Sequence, residues 1–257
     1  MKTSFDVQVQ GFAFVNSWDL QPIERERLRE LLAGALRWTT ILGAAAFGLA
    51  GALLVPIGIR ALSKRIEEEL SKGYGLCGGM SFAALDAYLS GVTLPRGEHR
   101  NDHPAGGSPL RAYLWKRQIR SLVYDLSKFQ AWLILLNHIP TAWPFRGGKD
   151  RLVAMTRVEW AKAKARLDGK SPVPLGLVRE TTYVFDNHQV LATGYELDGA
   201  DRGTIYLYDP NCPDVESTIR FDLGDDATFE ESCRAKVPLR GFFCETYGHV
   251  DPREVLE

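Results

Sequence analysis

The sequence predicts an α+β protein, and three observations carry that expectation. Up to about residue 168, apolar residues recur at spacings of three and four, as along helices. From about residue 171 they fall in short β-branched and aromatic runs separated by turns. Helices thus come first and strands afterwards, which indicates a mostly antiparallel sheet rather than alternating βαβ units.

The elements follow in order. In MKTSFDVQVQGF, Phe5, Val7 and Val9 alternate with polar residues, the pattern of a half-buried strand. No apolar run stands behind its single lysine, so no secretory signal is expected. Residues 22–37, PIERERLRELLAGALR, predict a charged amphipathic helix with Pro22 in its first turn. Residues 38–59, WTTILGAAAFGLAGALLVPIGI, carry no charge over a length sufficient to cross a bilayer. Gly43, Gly48, Gly51 and Gly58 make the run only moderately apolar, and Pro56 would kink or end a helix. Arginines and lysines flank both ends and set no orientation. Three placements stay open: spanning a membrane, lying in its interface, or buried against the body or a protein partner. The organisation expected is a single domain, residues 1–257, with a hydrophobic helical insertion at about 36–60.

A second charged helix over about 60–72 leads into YGLCGGMSFAALDAY, where MSFAALDAYL has helical spacing and Cys77 falls near the helix N-terminus. Residues 91–109 form a polar, turn-rich loop suited to flanking a cleft. Helices follow over 110–138 and over 149–168, the second ending near Gly169. SPVPLGLV, HQVLATGYEL, TIYLYDP and RGFFCETY then read as strands, with DG, DRG and PNCP turns between them.

Composition excludes some functions. A net charge of −1 lacks the basic excess of a nucleic-acid-binding surface, so no nucleic-acid partner is expected. Cys77, Cys212, Cys233 and Cys244 are irregularly spaced, with no CxxC pair. That is neither a zinc ribbon nor a dense disulfide framework, and it suits a reducing compartment. A Cys233–Cys244 bridge across a hairpin and a redox lock between Cys212 and Cys77 stay open. No metal and no cofactor is expected. The expected location is cytoplasmic, with membrane association through 38–59, or export without a classical signal peptide, left open.

Three residues suggest chemistry. A thiol at a helix N-terminus, such as Cys77, meets the positive end of the macrodipole, which favours thiolate. Its flanking glycines let backbone N–H groups approach a reacting carbonyl. His188, entering HQVLATGYE after Asp186 and Asn187, stands at a sheet end and can take the thiol proton and return it. Asp209, in LYDPN at the end of the next strand of the hairpin, can hold the imidazole tautomer.

At these motifs the chain resembles known proteins. GLCGGMSFAALD resembles the nucleophile segment of papain-like cysteine peptidases, in which the thiol opens the central helix. NHQVLATGYE with YLYDPN is similar to the His and Asp strands of the bacteriocin-leader-processing peptidases of ABC exporters. Together with FAFVNSW, PVPLGLV, YDPNCP and RGFF, these motifs look like a group of bacterial papain-like proteins related to those peptidases. The resemblance covers both halves but not 20–72 or much of 90–170.

It implies a papain-like fold, with a helical N-terminal half, Cys77 on the central helix and an antiparallel C-terminal sheet carrying His188 and Asp209. It further implies Cys77 as nucleophile, His188 as base and Asp209 as orienter, with Asn211 as an alternative orienter. The chain departs from the family at Ser71, where papain-type enzymes carry an oxyanion-hole glutamine. Asn16 and Ser71 are the candidate donors in its place. Two functions follow as expectations. One is a thiol-dependent hydrolase or acyl transferase acting through a thioester on a peptide or isopeptide-like amide of a peptide or protein substrate. The other is a catalytically silent papain-like module that binds a protein partner or a membrane through 38–59.

Overall fold

The structure, a computed structural model, describes residues 1–30, 75–138, 148–181, 186–224, 226–233 and 236–253. The chain divides into two compact units, Met1–Asn16 with Cys77–Glu257, and Ser17–Leu76. In the second unit residues 22–30 are helical, and Glu24 Oε2 accepts the Gln21 N–H at 2.8 Å, closing the first turn. The apolar run 38–59, the insertion at about 36–60, the helix expected over 60–72 and Ser71 lie outside the described residues. Among the described residues no helix is long and apolar enough to cross a membrane.

The first unit is α+β. Its helices are α1 (Val7–Gln10), α2 (Cys77–Ser90), α3 (Pro109–His138) and α4 (Gly148–Asp168). Its strands are β1 (Val173–Arg179), β2 (His188–Leu197), β3 (Arg202–Tyr208), β4 (Glu216–Asp222), β5 (Thr228–Glu231) and β6 (Leu239–Cys244). They form one six-stranded antiparallel sheet in the order β5-β4-β3-β2-β1-β6. The sheet curls until its edges approach. Arg179 of β1 grips Glu231 of β5 at 2.5 and 2.8 Å, although three strands lie between them in the sheet order. Phe229 of β5 likewise faces Phe242 of β6, with ring centres 6.2 Å apart.

Period-two alternation assigns the two sheet faces. Leu175, Leu177, Ile205, Ile219 and Phe242 join Trp160, Ala163 and Leu167 of α4 in the main core. Val178 and Phe243, on the opposite face, pack with Phe129 and Trp132 of α3 and Leu152 of α4. Strands β4 and β5 have no counterpart in the sequence expectations. In ESTIRFD only Ser217, Ile219 and Phe221 are buried, so polar residues hide the alternation.

The strand expected at Phe5–Val9 is instead a helical turn. Asp6 caps it by accepting the Gln8 N–H at 2.8 Å, while Gln10 Oε1 accepts the Asp6 N–H at 2.6 Å. Val7 is buried and Val9 is 54% exposed, so alternation in sequence did not become alternation in space. Pairing with the sheet occurs earlier. Thr3 donates to Thr193 O at 2.9 Å, and Tyr195 donates to Met1 O at 2.7 Å, beside the irregularity of β2 at Gly194.

Helix α2 is buried on all sides from Gly78 to Ala87. Within it Asp86 is fully buried and takes hydrogen bonds from Tyr113 Oη and Tyr247 Oη, each at 2.6 Å, and from the Val250 N–H at 3.0 Å. Arg117 of α3, itself buried, pairs with it at 2.7 Å. Burial raises the Asp86 carboxyl above its usual range against the pull of Arg117 and these donors. Removing one partner of such a pair strands the other. Arg117→Leu should therefore lower unfolding free energy by about 3–5 kcal/mol, read from the urea midpoint at constant slope.

Candidate active site

Cys77 is the first residue of α2 and is partly exposed. The two glycines after it let the helix come unusually close to its neighbours. A Cβ on Gly78 would stand 2.1 Å from Gln189 Oε1 and 2.3 Å from Ser121 Oγ. One on Gly79 would stand 2.3 Å from Leu114 O. The Gly79 N–H, which has no acceptor within its own helix, donates to Gln118 Oε1 at 2.8 Å. The glycines therefore bring α2 onto α3 and the start of β2.

His188 opens β2 and Asp209 directly follows β3, so the antiparallel pairing of these strands sets them side by side. His188 Nε2 donates to Asp209 Oδ1 at 2.7 Å, with both side chains buried. The same oxygen accepts the Asn211 N–H at 2.8 Å, and Asp209 O accepts the Cys212 N–H at 2.9 Å. Asp209 thus closes its own turn and orients the imidazole together. With Nε2 held by the carboxylate, Nδ1 is the ring nitrogen left for the thiol. The Cys77 side chain is near enough to the ring to act on its charge. Burial works against a charged imidazole here, but the Asp209 carboxylate and then the Cys77 side chain outweigh it and raise the His188 pKa to about 10. The site therefore favours imidazolium, the form that can face a sulfur anion and protonate a leaving group.

The other candidates fall as follows. Asn211 Oδ1 accepts from Asn16 Nδ2 at 3.0 Å, so these two candidates hydrogen-bond to one another beside the Asp209 turn. Asn16 also donates its backbone N–H to Pro210 O at 2.9 Å. Cys212 pairs with Cys233 in a disulfide, which replaces both the Cys233–Cys244 bridge and the Cys212–Cys77 lock left open by the sequence. Cys244 is a free, buried thiol, pushed up to about 11 by burial and Glu159, and its N–H donates to Glu159 Oε2 at 2.9 Å.

Sequence reasoning missed a buried polar cluster beneath the nucleophile. Gln189 Oε1 lies 3.8 Å from Cys77 Sγ, accepts from Gln118 Nε2 at 3.4 Å and stands 3.3 Å from Ser121 Oγ, which donates to Gln118 O at 2.9 Å. Gln189 Nε2 donates to Glu245 Oε1. The available signal was a glutamine in an otherwise apolar strand (HQVLA) and a glutamate directly after the apolar FFC. Among the described residues no group of three or more His, Cys, Asp or Glu could hold a metal ion.

No family model matches the chain, and no curated protein or solved structure matches it either.

Two outcomes test this geometry. The His188 pKa is raised above its unfolded value of 6.5, so the stability it contributes is complete below about pH 6.5 and is lost as pH rises through about 10. Chemical denaturation across that window should show the loss in wild type and a much flatter profile in Asp209→Asn. The Cys212–Cys233 bridge closes a loop of sequence separation 21, so Cys212→Ser with Cys233→Ser should cost about 3 kcal/mol of stability. Non-reducing peptide mapping should recover the two cysteines as one linked pair.

Proposed function

We propose that the chain is a thiol-dependent hydrolase or acyl transferase of papain-like type acting on an amide. The observation that carries this reading is the 2.7 Å bond from His188 Nε2 to Asp209 Oδ1, with the Cys77 side chain near enough to act on the charge of the same ring. A chance cluster of buried polar residues has no need of a partly exposed thiol at its open end. The central helix opening on Cys77, with an antiparallel sheet supplying His and Asp, also supports a papain-like arrangement.

The chemistry follows from the parts. The Cys77 thiol gives its proton to His188, and the imidazolium is stabilised by Asp209. The sulfur anion attacks the amide carbonyl carbon, and the C=O electron pair moves onto oxygen. The Cys77 backbone N–H, at the opening of α2, is the donor we assign to that oxyanion. When the intermediate collapses, the C–N bond breaks and His188 delivers its proton to the departing nitrogen, leaving a thioester on Cys77. His188 then takes a proton from water or an amine as it attacks the thioester; the C–S bond breaks, the acid or new amide departs, and sulfur takes the proton back from His188. Water gives hydrolysis and an amine gives acyl transfer, with a peptide or protein as substrate class.

The test is covalent labelling with a peptide-based electrophile directed at thiols, followed by hydrolysis of a peptide library. Wild type should be labelled at Cys77, and Cys77→Ser should not be labelled there. His188→Ala should slow labelling at neutral pH by about 10²–10⁴-fold. Equal labelling of His188→Ala and wild type would defeat the reading.

A further inference from the structure

Glu245 follows the last residue of β6 directly, is 1% exposed, and plays no part in the mechanism above. Its Oε1 accepts the Gln189 Nε2–H, while its Oε2 is buried with no hydrogen-bond partner among the described residues. That bond decides which end of the Gln189 amide faces the nucleophile. With Nε2 turned to Glu245, Oε1 is turned to Cys77 Sγ at 3.8 Å. Gln118 Nε2, at 3.4 Å, donates to the same oxygen and reinforces the orientation, while the Ser121 hydroxyl lies 3.3 Å from it and makes its shorter bond to Gln118 O at 2.9 Å. The cluster therefore offers sulfur a hydrogen-bond acceptor other than His188. An acceptor stabilises S–H and disfavours S⁻, whereas an amide donor in the same place would do the reverse.

We propose that Glu245 and Gln189 are positioning residues for Cys77, Glu245 fixing the Gln189 amide so that its carbonyl oxygen holds the thiol hydrogen and opposes its transfer to His188. The pair is a counterweight to the His188–Asp209 couple. It opposes the transfer of the thiol hydrogen that the His188–Asp209 couple favours, so the two pairs pull on one proton from opposite sides. This inference rests on the reading of Cys77 as nucleophile.

The groups that act on Glu245 include Asp125 and Lys128 of α3, Gln189 of β2 and Cys77 of α2. Burial, and then the like charge of Asp125, raise the Glu245 carboxyl well above its usual range against the Gln189 donor. That shift acts against a full charge on the buried oxygen.

The rate of Cys77 alkylation by iodoacetamide, measured against pH on the full chain, tests the proposal without any substrate. Glu245→Leu releases the amide to turn its NH₂ towards sulfur. It should speed alkylation at pH values below the wild-type midpoint by about tenfold and move the midpoint down by about one unit. Glu245→Gln still presents an oxygen to Gln189 Nε2 and should restore the wild-type profile. A Glu245→Leu profile that coincides with wild type or moves to higher pH would overturn the proposal. So would a Glu245→Gln profile displaced as far as that of Glu245→Leu. Far-ultraviolet circular dichroism and urea midpoints identify any variant that fails to fold, and Glu245→Gln then decides alone through its agreement or disagreement with wild type. His188→Ala separates the two readings. Alkylation unchanged in His188→Ala but shifted in Glu245→Leu would remove His188 as base and leave the positioning pair standing.

Discussion

A helix backbone brought to contact distance of two neighbours is the constraint on which the site depends. At Gly78 and Gly79 the space for a Cβ is already taken by Gln189, Ser121 and the Leu114 carbonyl. Two adjacent glycines cost helix stability, about 1 kcal/mol each relative to alanine. Burial of Met80, Phe82, Ala83 and Leu85 further along α2 offsets that cost through apolar area removed from water. In return the first turn of α2 reaches the start of β2, where His188 and Gln189 are consecutive residues. Any side chain at 78 would move the thiol away from both.

Distance alone does not aim a thiol, because each residue turns a helix by 100° about its axis. Rotation is fixed further along α2 by Asp86. Its hydrogen bonds from Tyr113 and Tyr247, its bond from Val250 N and its pairing with Arg117 can be made in one orientation only. Burying an ion pair is weak evidence for net stability, since desolvation consumes much of the attraction. Here the geometry gives it a second use. The glycines set how near α2 lies, Asp86 sets which way it faces, and the two together point Cys77 at the imidazole.

The sequence made the α+β class and most long elements legible because their buried faces are continuous. HQVLATGYEL matches β2 from His188 to Leu197, and the period-four pattern of 110–138 matches α3 to within a residue. Strands β4 and β5 were not legible, because half their residues face solvent and the apolar half is short. The N-terminal alternation misled for a local reason. A capping aspartate and a glutamine four residues later closed a helical turn that outweighed a weak period of two. Cys77, His188 and Asp209 stood out because each sits at an element boundary. Gln118, Gln189 and Glu245 did not, since one polar residue inside an apolar run carries no sign of what it will meet.

Two carboxyl groups bracket the nucleophile, and their surroundings give them opposite tasks. Asp209 receives the His188 Nε2–H and the Asn211 N–H on one oxygen, and its charge holds a cation beside sulfur. Glu245 receives a single amide donor, shares its burial with Asp125, and is pushed toward its neutral form. On the proposed reading one carboxyl draws the thiol proton onto the imidazole, and the other fixes an oxygen that holds it on sulfur. Both would act through the side chains of a single dipeptide, His188-Gln189, whose members would serve opposite ends of the same proton transfer. A strand that begins with His-Gln at this position would therefore offer one sulfur atom both a base and its opponent, with the two distant carboxyls deciding how the proton is shared.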